Sequence, residues 1–209
     1  MRLLSMTSLA LLAAVIFAES SFGHVPYFER TDFTKDKPFR VQSIEQSIAV
    51  YAWLKREKGR TDDVDVYTFT ITKPTRGFVQ CLAPVRKRYE KFLPAFAVVG
   101  PGLPAAKAKL PFEAPKGQGV IVMENYKPGE RRPTFYEFFG GKSYYRGPTF
   151  DRVLEEPGTY HVYYWDPHAH GGDYVAVLGY KETWGLMDVL RALFRTPMIR
   201  WNLELHDEE

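Results

Sequence analysis

Val64-Asp65-Val66-Tyr67-Thr68-Phe69-Thr70-Ile71-Thr72 decides the fold class. Val64, Val66, Thr68, Thr70 and Thr72 fall on one side of this stretch. Tyr67, Phe69 and Ile71 fall on the other. A period of two is the mark of a half-buried strand. Pro74 ends it, and Arg76 to Ala83 reads as the next strand.

Working outward, the same signal recurs. Ser47 to Leu54 is rich in β-formers and is followed by a charged turn from Lys55 to Asp63. Phe92 to Val99 is apolar and closes on Gly100-Pro101-Gly102, a firm breaker. A Pro-, Ala- and Lys-rich loop leads to a short strand from Gly119 to Glu124. Gly158 to Trp165 and Gly172 to Tyr180 are two strong strands joined by Asp166-Pro167-His168-Ala169-His170-Gly171. The segment from Pro128 to Pro148 reads as a long irregular excursion, and His24 to Pro38 as a lead-in that precedes the strands. Only the tail changes period. Leu186, Val189, Leu190, Leu193 and Phe194 recur at helical spacing, and Pro197 is expected to stop that amphipathic helix. The expected fold is mainly β, a jelly-roll-like β-sandwich over 24–182, with a C-terminal helix and tail over 183–209.

The amino terminus carries an export signal. A basic start, Met1-Arg2, precedes an uncharged run from Leu9 to Phe17, then small and polar residues follow. The run is short for a bilayer, which takes ~20 apolar residues. Residues 1–23 therefore read as a signal peptide. Cleavage after Gly23 would leave His24 first, and cleavage after Ser20 would leave Ser21. No Cys lies near either cut, so a lipid-anchored lipoprotein is not expected. The expected location is periplasmic, cell-surface or extracellular.

Composition bounds the rest. A chain of 209 residues, shortened by such a leader, suits one domain. The formal net charge is +3 with both signs mixed, unlike the basic stripe of a nucleic-acid binder. The cluster Arg86-Lys87-Arg88 reads as a solvated loop. A single cysteine, Cys81, excludes an internal disulfide, and its apolar neighbours make it a buried, inert thiol. Thirteen Tyr and fifteen Phe fit both a sandwich core and a ligand-binding surface.

Asp62-Asp63-Val64-Asp65-Val66-Tyr67-Thr68-Phe69, together with Pro157-Gly158-Thr159-Tyr160 and Gly172-Asp173-Tyr174-Val175, resembles the bacterial pre-peptidase C-terminal domain pattern. The resemblance covers roughly Ile44 to Tyr180. It implies a jelly-roll-like sandwich that binds surfaces or substrates beside secreted enzymes. The middle from Pro84 to Phe150 is longer than in that family, and the C-terminal helix is an addition.

Several constellations bear on chemistry. His168 and His170 lie two apart in a loop, so an extended chain would point both rings to one side. Neutral imidazole is a common copper or zinc ligand. If His24 were the new terminus, its amine and ring together would chelate a metal. His168 or His170 would then complete a three-nitrogen copper site; the alternative is a pair of solvated turn residues. His161 reads as a core or interface histidine, and His206 as part of a frayed tail. Asp62, Asp63 and Asp65 are candidate calcium ligands or, alternatively, a solvated turn. Glu137, Asp151, Glu155 and Glu156 are candidates for the carboxylate pair of a secreted glycoside hydrolase.

The stretch from Phe135 to Tyr145 offers Tyr136, Tyr144 and Tyr145 as a platform for a glycan or cell-surface partner, or else folds back over the core. The terminal helix either packs on its own domain or lies on a membrane with Arg191, Arg195 and Arg200 near headgroups. The functional expectation is an exported, non-catalytic binding protein, with copper as its cofactor through His24. The alternatives are a carbohydrate- or surface-binding module and, third, a hydrolase. The partner is a small ligand, a glycan or an envelope protein.

Overall fold

Alternation along Val64–Ile71 places Tyr67, Phe69 and Ile71 in a core between two sheets, while Val66 faces outward. The computed structural model describes residues 23–55, 63–107 and 109–206. The strands are β1 (Val25–Phe28), β2 (Phe39–Arg40), β3 (Ile48–Leu54), β4 (Val64–Ile71), β5 (Thr75–Pro84) and β6 (Ala95–Gly100). They continue as β7 (Gly119–Met123), β8 (Thr134–Glu137), β9 (Lys142–Leu154), β10 (Gly158–Trp165) and β11 (Gly172–Leu178). One helix, α1 (Leu186–Arg200), follows.

One sheet has the order β1-β3-β11-β5-β9-β8 and the other β2-β4-β10-β6-β7. The chain is therefore a two-sheet β-sandwich. The two strong late strands fall in different sheets: β10 pairs with β4 and β6, and β11 pairs with β3 and β5. Their joining loop thus crosses from one sheet to the other at one end of the sandwich.

Both outer faces are covered as well. On the first sheet Ala49, Tyr51, Leu82, Tyr144, Val175 and Val177 form a second apolar cluster closed by Ile199 of α1. On the other sheet the β6–β7 loop folds back, and the Phe112 ring stacks on Tyr163 with centroids 3.9 Å apart. Strands apolar on both faces read as continuous runs, which is why Ala95 to Gly100 shows no alternation.

The structure corrects four expectations. First, the lead-in holds a strand: β1 lies parallel to β3, with Val25 opposite Ile48. Pairing with a central partner, not local pattern, makes it a strand. Second, the excursion from Pro128 to Pro148 is largely a hairpin of β8 and β9. Gly147-Pro148 looks like a turn, but it sits where the β5–β9 register shifts between Gln80 and Leu82. A Cβ on Gly147 would lie 2.6 Å from the Cys81 carbonyl oxygen, so the close approach requires glycine. Third, α1 runs through Pro197 to Arg200. Burial of Ile199 holds the last turn on the sheet, and Trp201 N–H donates to the Pro197 carbonyl at 3.0 Å. Fourth, Lys87–Tyr89 is a turn of 3-10 helix, and the Arg88 guanidinium reaches Asp173.

Candidate functional site

A cleft of about 760 Å³ opens on the outer face of the β2-β4-β10-β6-β7 sheet, beside the edge strand β7. Outward alternation on β6, β7 and β10 supplies its floor: Ala95, Val120, Val122 and Trp165. The β6–β7 loop, pinned by Phe112 on Tyr163, supplies one wall with Pro104, Leu110 and Pro111. The rim is basic. Lys107, Lys109, Lys127 and Arg152 line it and form no ion pair among the described residues, while Glu124 is the carboxylate among the lining residues. An apolar floor with a few polar groups at its edge is the usual form of a small-ligand site. Sequence reasoning missed this cleft; its signal was the lysine-rich β6–β7 loop beside outward-facing valines.

The fold does not bring the three candidate copper ligands together. His24 adjoins Val25, opposite Ile48, whereas His170 adjoins the Gly172 end of β11, opposite Leu54. The length of β3 separates them, roughly 20 Å for seven residues. His24 is partly buried, its Nδ1 is hydrogen-bonded to the Ser47 hydroxyl, and burial lowers its pKa to about 4. The His168-His170 loop is a tight turn around Asp166, not an extended segment. The Asp166 carboxylate accepts the backbone N–H groups of His168 (3.0 Å), His170 (2.6 Å) and Gly171 (2.9 Å). The two rings still lie near each other, centroids 6.1 Å apart, and His168 lines the basic cleft.

Tyr136, Tyr144 and Tyr145 do not form one surface, because neighbours on a strand point to opposite faces. Tyr144 is buried against Phe135 under α1. Tyr145 is covered by the Arg132 guanidinium, 3.8 Å above its ring. Only Tyr136 is well exposed, and its edge partner is Phe138 at the hairpin tip, 83% exposed.

The hydrolase carboxylates do not converge either. Glu137 caps the hairpin turn by accepting the Phe139 and Gly140 N–H groups. Asp151 lies far along β9 in a two-bond pair with Arg76, at 2.7 Å each. Glu155 and Glu156 sit beyond the end of β9.

Asp65 is the residue whose environment departs most from a solvated turn. It is fully buried on the inner face of β4 and lies with Glu29 and Asp32, both from the lead-in. Asp63 accepts the Lys55 N–H, and Asp62 lies outside the described residues. His206 is docked rather than frayed: its N–H and Nδ1 meet Asp173 at 3.0 and 2.9 Å, and its ring lies on Trp53. Cys81 is buried as expected, and burial pushes its thiol pKa up.

The terminal helix packs on its own domain through Ala192 and Ile199. Arg191 donates to the Tyr27 hydroxyl and Arg195 to the Pro26 carbonyl, so both turn inward. Leu186, Met187, Leu193 and Phe194 remain exposed on the outer side. Among the described residues no helix is long and apolar enough to cross a membrane.

Compared with known proteins, the chain matches no family model and no curated protein.

Proposed function

We propose that this chain is an exported, non-catalytic binding domain whose ligand is an amphipathic anion. The apolar part of the ligand rests on Ala95, Val120, Val122 and Trp165. Its negative group meets the rim of Lys107, Lys109, Lys127 and Arg152. The observation that carries the reading is the pairing of an apolar floor with four cations that form no ion pair among the described residues. The leader-like start supports export, and the resemblance to pre-peptidase C-terminal domains points to a binding role of the same kind. Titration calorimetry with decanoate, decanol and decyltrimethylammonium tests it. Saturable decanoate binding is expected, weakened about fivefold or more in Lys107→Ala/Lys127→Ala, since about 1 kcal/mol is that factor. Equal binding of decanol, or no binding of decanoate, refutes it.

A second reading concerns placement and is favoured by the exposed apolar side chains Phe138, Phe194 and Trp201. The C-terminal end of α1 meets the β8–β9 hairpin tip, where Arg200 donates to the Phe139 carbonyl at 3.1 Å. Gly23 lies against Phe139 and Trp184 beside that tip. Contact with a lipid surface through Phe138, Phe194 and Trp201 would cover them. Sedimentation with anionic and neutral vesicles tests this, and a protein that stays in the supernatant with both refutes it.

A further inference from the structure

We infer that Glu29, Asp32 and Asp65 form a binding site for a hard divalent cation of the calcium type. This site is separate from the ligand cleft and does not depend on it. Its residues come from two parts of the chain. Glu29 directly follows β1, and Asp32 lies three residues on. Asp65 is the second residue of β4. The link is drawn against β4 by the Val66 N–H, which donates to the Phe33 carbonyl at 2.6 Å. One carboxylate oxygen from each of the three residues lies within 4.8 Å of the other two. Oxygens that share a calcium ion at about 2.3–2.6 Å fall within such a span.

Acidic clusters are common, so the decisive observation is separate. Glu29 is 6% exposed and Asp65 0%. Glu29 Oε2 accepts the Trp53 N–H at 3.0 Å, but Oε1 has no partner. Asp65 Oδ2 accepts the Tyr174 hydroxyl at 2.6 Å, but Oδ1 has no partner. Two buried oxygens on two adjacent carboxylates are thus unsatisfied, which buried polar atoms rarely are. Lys55 pairs with Asp32 at the more exposed side and leaves both orphan oxygens unserved. A shared proton is the competing solution. It bridges Glu29 and Asp65 and leaves Asp32 to Lys55, whereas a cation draws an oxygen from all three. The set is all oxygen, and the nearby His206 gives its Nδ1 to Asp173, so calcium fits better than copper or zinc. Bound there, the ion would fasten the link after β1 to the sandwich.

The test is thermal melting and calorimetry on the exported form after chelator treatment and dialysis. Calcium up to about 10 mM, tenfold or more above the ~0.1–1 mM affinities of extracellular sites, is expected to bind at one equivalent and raise Tm. Asp65→Asn should abolish both effects. Asp32→Asn, at the more exposed edge, should fold and still weaken calcium at least about tenfold, which keeps the test open if Asp65→Asn fails to fold. Lys55→Met should tighten binding by removing the competing ammonium. If calcium, magnesium and manganese produce neither heat nor a Tm change, the proposal is overturned. It is equally overturned if Asp65→Asn melts higher than the parent without any ion dependence, the result a shared proton would give.

Discussion

The Tyr174 hydroxyl donates to the Asp65 carboxylate at 2.6 Å, joining β11 of one sheet to β4 of the other through the middle of the sandwich. Tyr67 completes the group, its hydroxyl 2.9 Å from that of Tyr174. Both side chains of the central bond are buried. Tyr174→Phe keeps the ring and removes the donor. It should destabilise the metal-free fold by roughly 1–3 kcal/mol, because a buried carboxylate oxygen loses its partner. Urea unfolding measures this, and a change under about 0.5 kcal/mol would show that the bond contributes nothing net.

Glu29 makes stability depend on pH. Burial, the largest cause, and neighbouring Asp32 raise its folded pKa to about 7 from an ordinary 4.5 against the lowering pull of the Trp53 N–H. Between those values the native state holds a proton that the unfolded chain has released. Stability is therefore fully present below pH about 4.5 and is lost as pH rises through about 7, by about 3 kcal/mol at most. His24 acts with the opposite sense. Burial depresses its pKa, so its contribution is present above the ordinary 6.5 and is lost as pH falls toward 4. Melting of the metal-free protein against pH, beside Glu29→Gln, separates the two. The two contributions oppose each other between about pH 4.5 and 6.5 in the parent, so the variant should show the bare His24 decline as pH falls from 6.5 toward 4.

Phe112 holds the wall of the cleft by stacking on Tyr163. Phe112→Ala removes that anchor on the outside of the sheet while the core between the sheets stays intact. Decanoate binding should fall by about tenfold or more, against a stability loss of roughly 1–2 kcal/mol for a half-buried ring. Unchanged binding would place the ligand elsewhere.

Asp166 organises the loop that carries both histidines. Asp166→Ala strips acceptors from three backbone N–H groups and should cost roughly 1–3 kcal/mol. His168→Ala, whose side chain leaves that turn untouched, should change stability by less than about 0.5 kcal/mol. Chemical unfolding of the pair distinguishes a loop built around its carboxylate from one built around its imidazoles.

The exposed side of α1 is separable from the fold. Phe194 is 75% exposed, and Ala192 and Ile199 make the contact with the domain. Leu193→Ser/Phe194→Ser should therefore shift stability by no more than about 1 kcal/mol while abolishing any vesicle binding. Loss of folding in this variant would mean that the outer face is buried in the working molecule.

Strand alternation is local, because successive side chains on a strand must point to opposite sides. Alternation marked Val64–Ile71, runs of β-formers marked Gly158–Trp165 and Gly172–Leu178, and the helical period marked α1, so these elements and the sandwich class were determined by the sequence alone. Buried Cys81 was legible for the same reason. Hairpin strands β8 and β9 were not, since Gly147-Pro148 carries turn chemistry that pairing with β5 overrides, whereas Gly140-Gly141 does sit in the hairpin turn. Other matters needed partners remote in sequence. Asp65 looked like one of three turn aspartates until β1 brought Glu29 beside it and β11 brought Tyr174, 109 positions away. The histidines looked like one site because their chemistry is alike, but strand register puts His24 and His170 at opposite ends of β3. The basic cleft exists only because a loop folds back over an outer sheet face. Residue type is written along the chain, whereas register and long-range pairing, set by burial of both sheet faces, decide which of those residues meet.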